Sequence, residues 1–198
     1  MQICKEKRIL ISGTGGQGVL LLGKVLATAG MLAGKNVTWM PSYGAEMRGG
    51  ISDCAVIIAD EDIGSPVVNK PEILIAMSSQ SLEKHSHKVV SGGLVLANQS
   101  SFESQFIRQD VEMVFLPALE TAKAALGSTK LANMVMLGVL CAKTGIVPRE
   151  SIEESIRSIL MNSHDHSLID LNLRALQVGI DYCQKKRSLS DDYSPQGK

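Results

Sequence analysis

The sequence carries no excess of charge: twenty lysines and arginines meet twenty aspartates and glutamates over 198 residues, for a formal net charge of zero. Without a field of one sign, the long-range pull of a nucleic-acid or membrane-surface binder is missing, and any anion site has to be local. No run approaches the roughly 18 consecutive apolar residues of a membrane span, and the start Met1-Gln2-Ile3-Cys4-Lys5-Glu6-Lys7-Arg8 lacks the apolar core of a signal peptide. A cytoplasmic protein with neither nucleic acid nor membrane as partner is the expectation. Cysteines are few, and Cys4, Cys54, Cys141 and Cys183 are too dispersed for any C-x-x-C unit. That spacing offers no zinc ribbon and no iron–sulfur cluster, so free thiols are expected. The pairs His85/His87 and His164/His166 sit two apart in polar surroundings without further ligands nearby. They are expected to be solvated at turns or helix ends, with no metal site. There is no internal repeat. With 44% hydrophobic content, the length suits one compact domain, expected over residues 1–187, and residues 188–198 read as a polar, disordered tail.

What is present is organised around Ile9-Leu10-Ile11-Ser12-Gly13-Thr14-Gly15-Gly16-Gln17-Gly18-Val19-Leu20-Leu21-Leu22, where a short apolar run enters a glycine cluster and a helix-compatible run leaves it. Gly13, Gly15 and Gly18 satisfy G-x-G-x-x-G in a strand–turn–helix context. Missing side chains allow the turn and the approach of a ligand to the backbone. Amides at the start of the following helix then favour an anion, phosphate above all. The alternative is a turn that needs glycine only for close packing. A nicotinamide or flavin dinucleotide would require an acidic residue about 20 positions on to hold ribose hydroxyls. That region, Gly34-Lys35-Asn36-Val37-Thr38-Trp39-Met40, contains no carboxylate, and Glu46 lies past the expected strand end. The phosphate reading therefore keeps its anchor while the dinucleotide reading loses its second one.

Helical spacing over residues 18–33 and a stop at Gly34 give a first crossover helix, with Asn36 to Met40 returning as a strand expected to pair parallel to the first. The loop Pro41-Ser42-Tyr43-Gly44-Ala45-Glu46-Met47-Arg48-Gly49-Gly50 follows, crowding an aromatic hydroxyl, a carboxylate and a guanidinium into the region where an α/β sheet binds ligands. Its other reading is a surface turn with a Glu46–Arg48 pair. Further strands are expected at Ile51 to Asp60, Glu72 to Met77, Gly92 to Asn98 and Val111 to Pro117, with Ser78 to Ser81 capping a short helix. From Ala118 the pattern turns helical: Ala118 to Leu126, an all-round apolar helix over Leu131 to Ala142, Pro148 to about Met161, and about Ser167 to Lys186. The fold class is thus α/β: a three-layer α/β/α Rossmann-like domain with a mainly parallel sheet and a helical C-terminal part. Asn133 inside the apolar helix either bonds a neighbouring carbonyl or faces the ligand edge. Met40 to Met47 and Met134 to Met136 are candidate partner contacts, core filling being the other reading for Met134 and Met136.

The glycine turn, the Pro-Ser-Tyr-Gly-x-Glu-x-Arg-Gly-Gly loop and the Asn-Met-x-Met-Leu-Gly helix occur in one order, and with them the chain resembles the gamma subunit of 2-oxoacid:ferredoxin oxidoreductases from about Ile9 to at least Gly145. The resemblance implies a multi-subunit enzyme that decarboxylates a 2-oxoacid on thiamine diphosphate, passes electrons through iron–sulfur clusters to ferredoxin and yields acyl-coenzyme A. Thiamine diphosphate and clusters would sit on partner subunits, and this chain would be inert alone. It implies coenzyme A at Gly13, Thr14, Gly15, Gly16 and Gln17, with Asn133 as a second contact. Lysines near the second-strand loop assist coenzyme A in the fused pyruvate enzymes, but Tyr43, Glu46 and Arg48 stand here, so only the location carries over, with Arg48 as a candidate anion contact. The loop looks more like that of the 2-oxoglutarate or branched-chain enzymes. Expected partners are the thiamine-binding and iron–sulfur subunits, ferredoxin indirectly, and a second copy in isolation. A stand-alone nucleotide-binding regulatory module is the rival; the glycine turn permits it, but the other two motifs do not predict it.

Overall fold

The computed structural model describes residues 6–42, 50–98, 108–161, 165 and 167–191, with 186–191 by backbone alone. Its elements are β1 (Glu6–Thr14), α1 (Val19–Leu32), β2 (Asn36–Ser42), β3 (Ile51–Ala59), β4 (Ile73–Ala76), α2 (Ser79–His85), β5 (Leu94–Asn98), β6 (Glu112–Leu116), α3 (Ala118–Leu126), α4 (Ala132–Thr144), α5 (Arg149–Leu160) and α6 (Ser167–Asp191). The last helix runs past Lys186, where it was expected to end. No proline or glycine interrupts Arg187 to Asp191.

The six strands form one sheet in the order β2-β3-β1-β4-β5-β6. β1, β4, β5 and β6 pair in parallel, whereas β3 is antiparallel to both β1 and β2. The expected pairing of the first two strands is corrected here. β2 runs in the same direction as β1, but β3 lies between them. The reason is chain length: the connection from Ser42 to Ile51 is too short for a crossover helix, so β3 folds back as a hairpin partner of β2.

Alternation along β1 divides the core. Ile9 and Ile11 face the large cluster built with α1, α3, α4, α5 and α6, while Leu10 joins Leu74, Val95 and Leu82 of α2 on the other face. Among the described residues the outer layers are therefore unequal, five α-helices against one short one. Helix α4 is buried over nearly its whole length, including Met134 and Met136, which are core residues. It crosses α6 where two glycines meet: a β-carbon on Gly138 would lie 2.1 Å from the Leu176 carbonyl oxygen, and one on Gly179 would lie 2.0 Å from that of Val135. Because α1 crosses one face of the sheet and α2 the other, the strand order reverses between β1 and β4. That is the position where open α/β sheets bind ligands.

Candidate anion-binding site

At this switch point the chain leaves β1 through the glycine turn. Gly16 and Gly18 adopt φ of +91° and +73°, conformations that a β-carbon makes costly. Gly18 is the N-cap of α1; no side chain caps the helix, and its first turn holds no acidic residue. An uncapped helix start leaves amide hydrogens and a positive dipole end without a protein partner. Gly15 and Gly16 are exposed beside it.

Several braces fix the turn. Gln17 folds back: its Oε1 accepts from the Thr14 amide (2.8 Å) and its Nε2 donates to the Met77 carbonyl (3.0 Å) at the end of β4. The same carbonyl accepts from Asn98 Nδ2 (3.2 Å), while Asn98 Oδ1 accepts from the Ala118 amide (3.0 Å) at the start of α3. Gly13 has to be glycine, since a β-carbon there would stand 2.7 Å from Gln17 Oε1 and 2.8 Å from Met77 Cβ. Asn133, buried in the first turn of α4, donates from Nδ2 to the Gly18 carbonyl (3.2 Å) and accepts from the Met134 amide at Oδ1 (2.9 Å). Its amide is thus engaged with the turn itself, the neighbouring-carbonyl arrangement of the two readings. Finally, the Gly15 amide donates to the Gly50 carbonyl (3.3 Å).

The fold therefore brings Gly13, Thr14, Gly15, Gly16, Gln17 and Asn133 together. Arg48, Tyr43 and Glu46 lie outside the described residues. The two ends of their segment do not: Ser42 pairs with Asp53, and Gly50 meets Gly15.

The sequence reading missed a second cluster on the α2 face of the same edge. Asp53 Oδ1 accepts from Ser12 Oγ (2.6 Å), and Oδ2 accepts from Lys84 Nζ (3.1 Å). His85 Nε2 lies 3.1 and 3.2 Å from the two carboxylate oxygens. A carboxylate cannot donate, so Nε2 carries the hydrogen; Nδ1 then faces Lys88 Nζ at 3.5 Å. Burial alone would raise the Asp53 pKa, but the bonds from His85, Ser12 and Lys84 outweigh it and hold the carboxyl well below the usual range. The expectation of solvated histidines is corrected at His85, which is buried, while His87 is exposed as expected. Only Asp53 itself, the one charge within β3, hinted at this cluster. Among the described residues no group of histidine, cysteine and carboxylates could hold a metal ion.

A cleft of about 490 Å³, lined by Lys7, Glu72, Gly92 and Lys143, lies at the opposite edge of the sheet. Its charges are used in the pairs Lys7–Glu72 (2.8 Å) and Lys143–Glu112.

The model of the pyruvate ferredoxin/flavodoxin oxidoreductase family matches residues 8–182. The ketoisovalerate oxidoreductase subunit VorA of Methanothermobacter thermautotrophicus is 38% identical over 182 residues, which is 91% of this chain but 37% of the relative. The chain thus spans little more than a third of that curated protein. The 2-oxoglutarate synthase subunit KorC of Methanothermobacter marburgensis is 37% identical over 180 residues, covering 88% of this chain and 95% of its own. Among solved structures, the gamma subunit of the keto/oxoacid ferredoxin oxidoreductase of Geobacter sulfurreducens superposes with a TM-score of 0.77 at 29% identity, covering 90% of this chain and 99% of its own. The 2-oxoglutarate:ferredoxin oxidoreductase of Magnetococcus marinus, solved with 2-oxoglutarate, coenzyme A and succinyl-CoA bound, shares the fold, with a TM-score of 0.82 at 23% identity over 91% of this chain and 31% of that one. With its matched span and whole-length relatives, the chain belongs to the pyruvate ferredoxin/flavodoxin oxidoreductase family.

Proposed function

We propose that the chain is the gamma-type subunit of a 2-oxoacid:ferredoxin oxidoreductase and that its glycine turn holds a phosphate of coenzyme A. The observation that carries this is the exposed Gly15-Gly16 backbone in front of an uncapped, acid-free helix start, with Gly16 and Gly18 at positive φ. The family supports it, as does the coenzyme A bound in the Magnetococcus marinus enzyme. In this reading thiamine diphosphate, iron–sulfur clusters and ferredoxin docking belong to partner subunits, and the thiamine supplies the decarboxylation. The contribution of this chain is to fix the phosphate end of coenzyme A so that its thiol reaches the partner's reaction centre. Among the described cysteines Cys54 and Cys183 are buried and Cys141 is half-buried, an arrangement suited to packing. No described helix is long and apolar enough to cross a membrane; a cytoplasmic location fits this reading.

Gly16→Val tests the turn. Open space surrounds a β-carbon at Gly16, so the substitution acts through the positive φ and through obstruction of the ligand. In the reconstituted complex it raises the KM for coenzyme A while the coenzyme-independent half-reaction survives. Arg48→Ala costs about 1.5–3 kcal/mol of coenzyme A binding if the guanidinium meets a phosphate. An unchanged KM in a folded Gly16→Val complex refutes the phosphate role. Substantial 2-oxoacid-dependent dye reduction by the isolated chain refutes the subunit role.

A further inference from the structure

We propose that the open edge of β2 is a self-association surface, on which two copies of the chain pair β2 with β2, antiparallel, about a two-fold axis at Trp39. β2 is the terminal strand of the sheet, and its seven residues, Asn36-Val37-Thr38-Trp39-Met40-Pro41-Ser42, include no charge. Solitary edge strands are guarded by charges, bulges or prolines because unpaired backbone groups template association. Here Pro41 is the sole such guard, and it limits the ladder without closing it. β6, at the other edge, has five residues, begins at Glu112 in an ion pair with Lys143, and carries no exposed large apolar side chain.

Apolar exposure concentrates at the β2 end. Of six exposed large apolar residues among those described, Met31 and Leu32 stand just before the strand, Trp39 and Met40 lie on it, and Val67 lines the same cleft as Met40. Trp39 projects on the α1 face, where its Nε1 would stand 3.1 Å from a β-carbon on Gly23. Met40 projects on the α2 face beside Asp53 and His85. A partner strand at this edge would therefore be covered from both sides.

The strand's own pattern selects a second copy as the occupant. A two-fold axis requires an antiparallel pair, and with the axis at Trp39 the partners are Trp39 with Trp39, Val37 with Pro41, Thr38 with Met40, and Asn36 with Ser42. Apolar meets apolar and polar meets polar in all but the Thr38–Met40 pair, where the threonine methyl faces the methionine; aromatic and β-branched cross-strand pairs are the favourable ones. Among the described residues of the strand and its start no charge opposes the contact, since Asn36–Ser42 carries none and Lys35 is paired with Asp60 of its own copy.

Sedimentation velocity on the full chain at micromolar concentrations reads this directly, and a dimer is expected. Met40→Lys, with an unchanged circular-dichroism spectrum, raises the dimer dissociation constant about tenfold or more. Should that variant misfold, cross-linking decides. Thr38→Cys mixed with Met40→Cys oxidises to a covalent dimer above the wild-type level, whereas Met40→Cys alone does not. A chain that stays monomeric overturns the proposal and leaves the edge to a different polypeptide. A Met40→Lys dimer as tight as wild type, or cross-linking of position 40 to itself, overturns it equally.

Discussion

Gly18 is where the turn, the helix start and α4 meet, and a double-mutant cycle separates what it contributes to each. Alanine there meets two obstacles. Its backbone has to hold φ of +73°, which costs an L-residue about 1–2 kcal/mol. Its β-carbon would also stand 2.3 Å from Asn133 Nδ2 and 2.9 Å from Asn133 Cγ, so Asn133 has to leave. With it go the bonds to the Gly18 carbonyl and the Met134 amide, each worth about 0.5–1.5 kcal/mol. Gly18→Ala should therefore cost about 3 kcal/mol in the wild-type background. In an Asn133→Ala background the obstruction is gone, and only the backbone cost of about 1–2 kcal/mol remains. The difference, a coupling of about 1–3 kcal/mol, is within the range found for residues in contact. Urea unfolding at constant m-value measures all four corners. Gly16→Ala is the internal control: it shares the positive φ but has open space, so it should match the Gly18→Ala cost in the Asn133→Ala background. Equal costs for Gly18→Ala in both backgrounds would refute the contact between Asn133 and the turn.

Three other outcomes follow from the same geometry. Because the Asp53 carboxyl is held below its ordinary 3.8, its contribution to stability is whole above about pH 5 and is lost as pH falls through 3.8 and below; Asp53→Asn should flatten the acid limb of a stability–pH profile, and an unchanged limb would exclude this group. Gly138→Ala forces a β-carbon against the Leu176 carbonyl and should cost about 3 kcal/mol, the upper end of overpacking; a thermal midpoint near wild type would show that α4 and α6 can part freely. Burial pushes the Cys54 thiol up to about 11, with a weaker opposing bond from Trp39, so an alkylating reagent at about pH 8 should leave it unmodified until denaturant is added, a result that peptide mass spectrometry reads.

Where each element lies was legible because its signal is local. The helix expected over 18–33 spans Val19–Leu32, and the apolar runs at 72–77 and 92–98 hold β4 and β5. The placement of β2 was not, because strand order is a property of the connections, and the short loop to β3 outweighs the strand–helix–strand habit. The site divides in the same way. Glycine positions 13, 15, 16 and 18 announce a turn from sequence alone. The partner that holds Asn133 is 115 positions away, and the Asp53–His85 pair spans 32. Two histidines in polar surroundings look solvated until a strand carrying a carboxylate is laid beneath one of them.

That dispersion bears on why the family uses this unit in two settings. KorC matches the chain over 95% of its own length, whereas in VorA the matching part is 37% of a longer protein. A turn held only by its neighbours in sequence would bind an anion weakly, since glycines cost entropy to order. Here the order comes from β3 through Gly50, from β4 through Met77 and from α4 through Asn133, all within one chain. These braces join the turn to three separate elements of the chain's own fold, which is what holds its glycines in one conformation. On the proposed anion role, a domain that carries its own braces can serve in relatives of either length without rebuilding the turn.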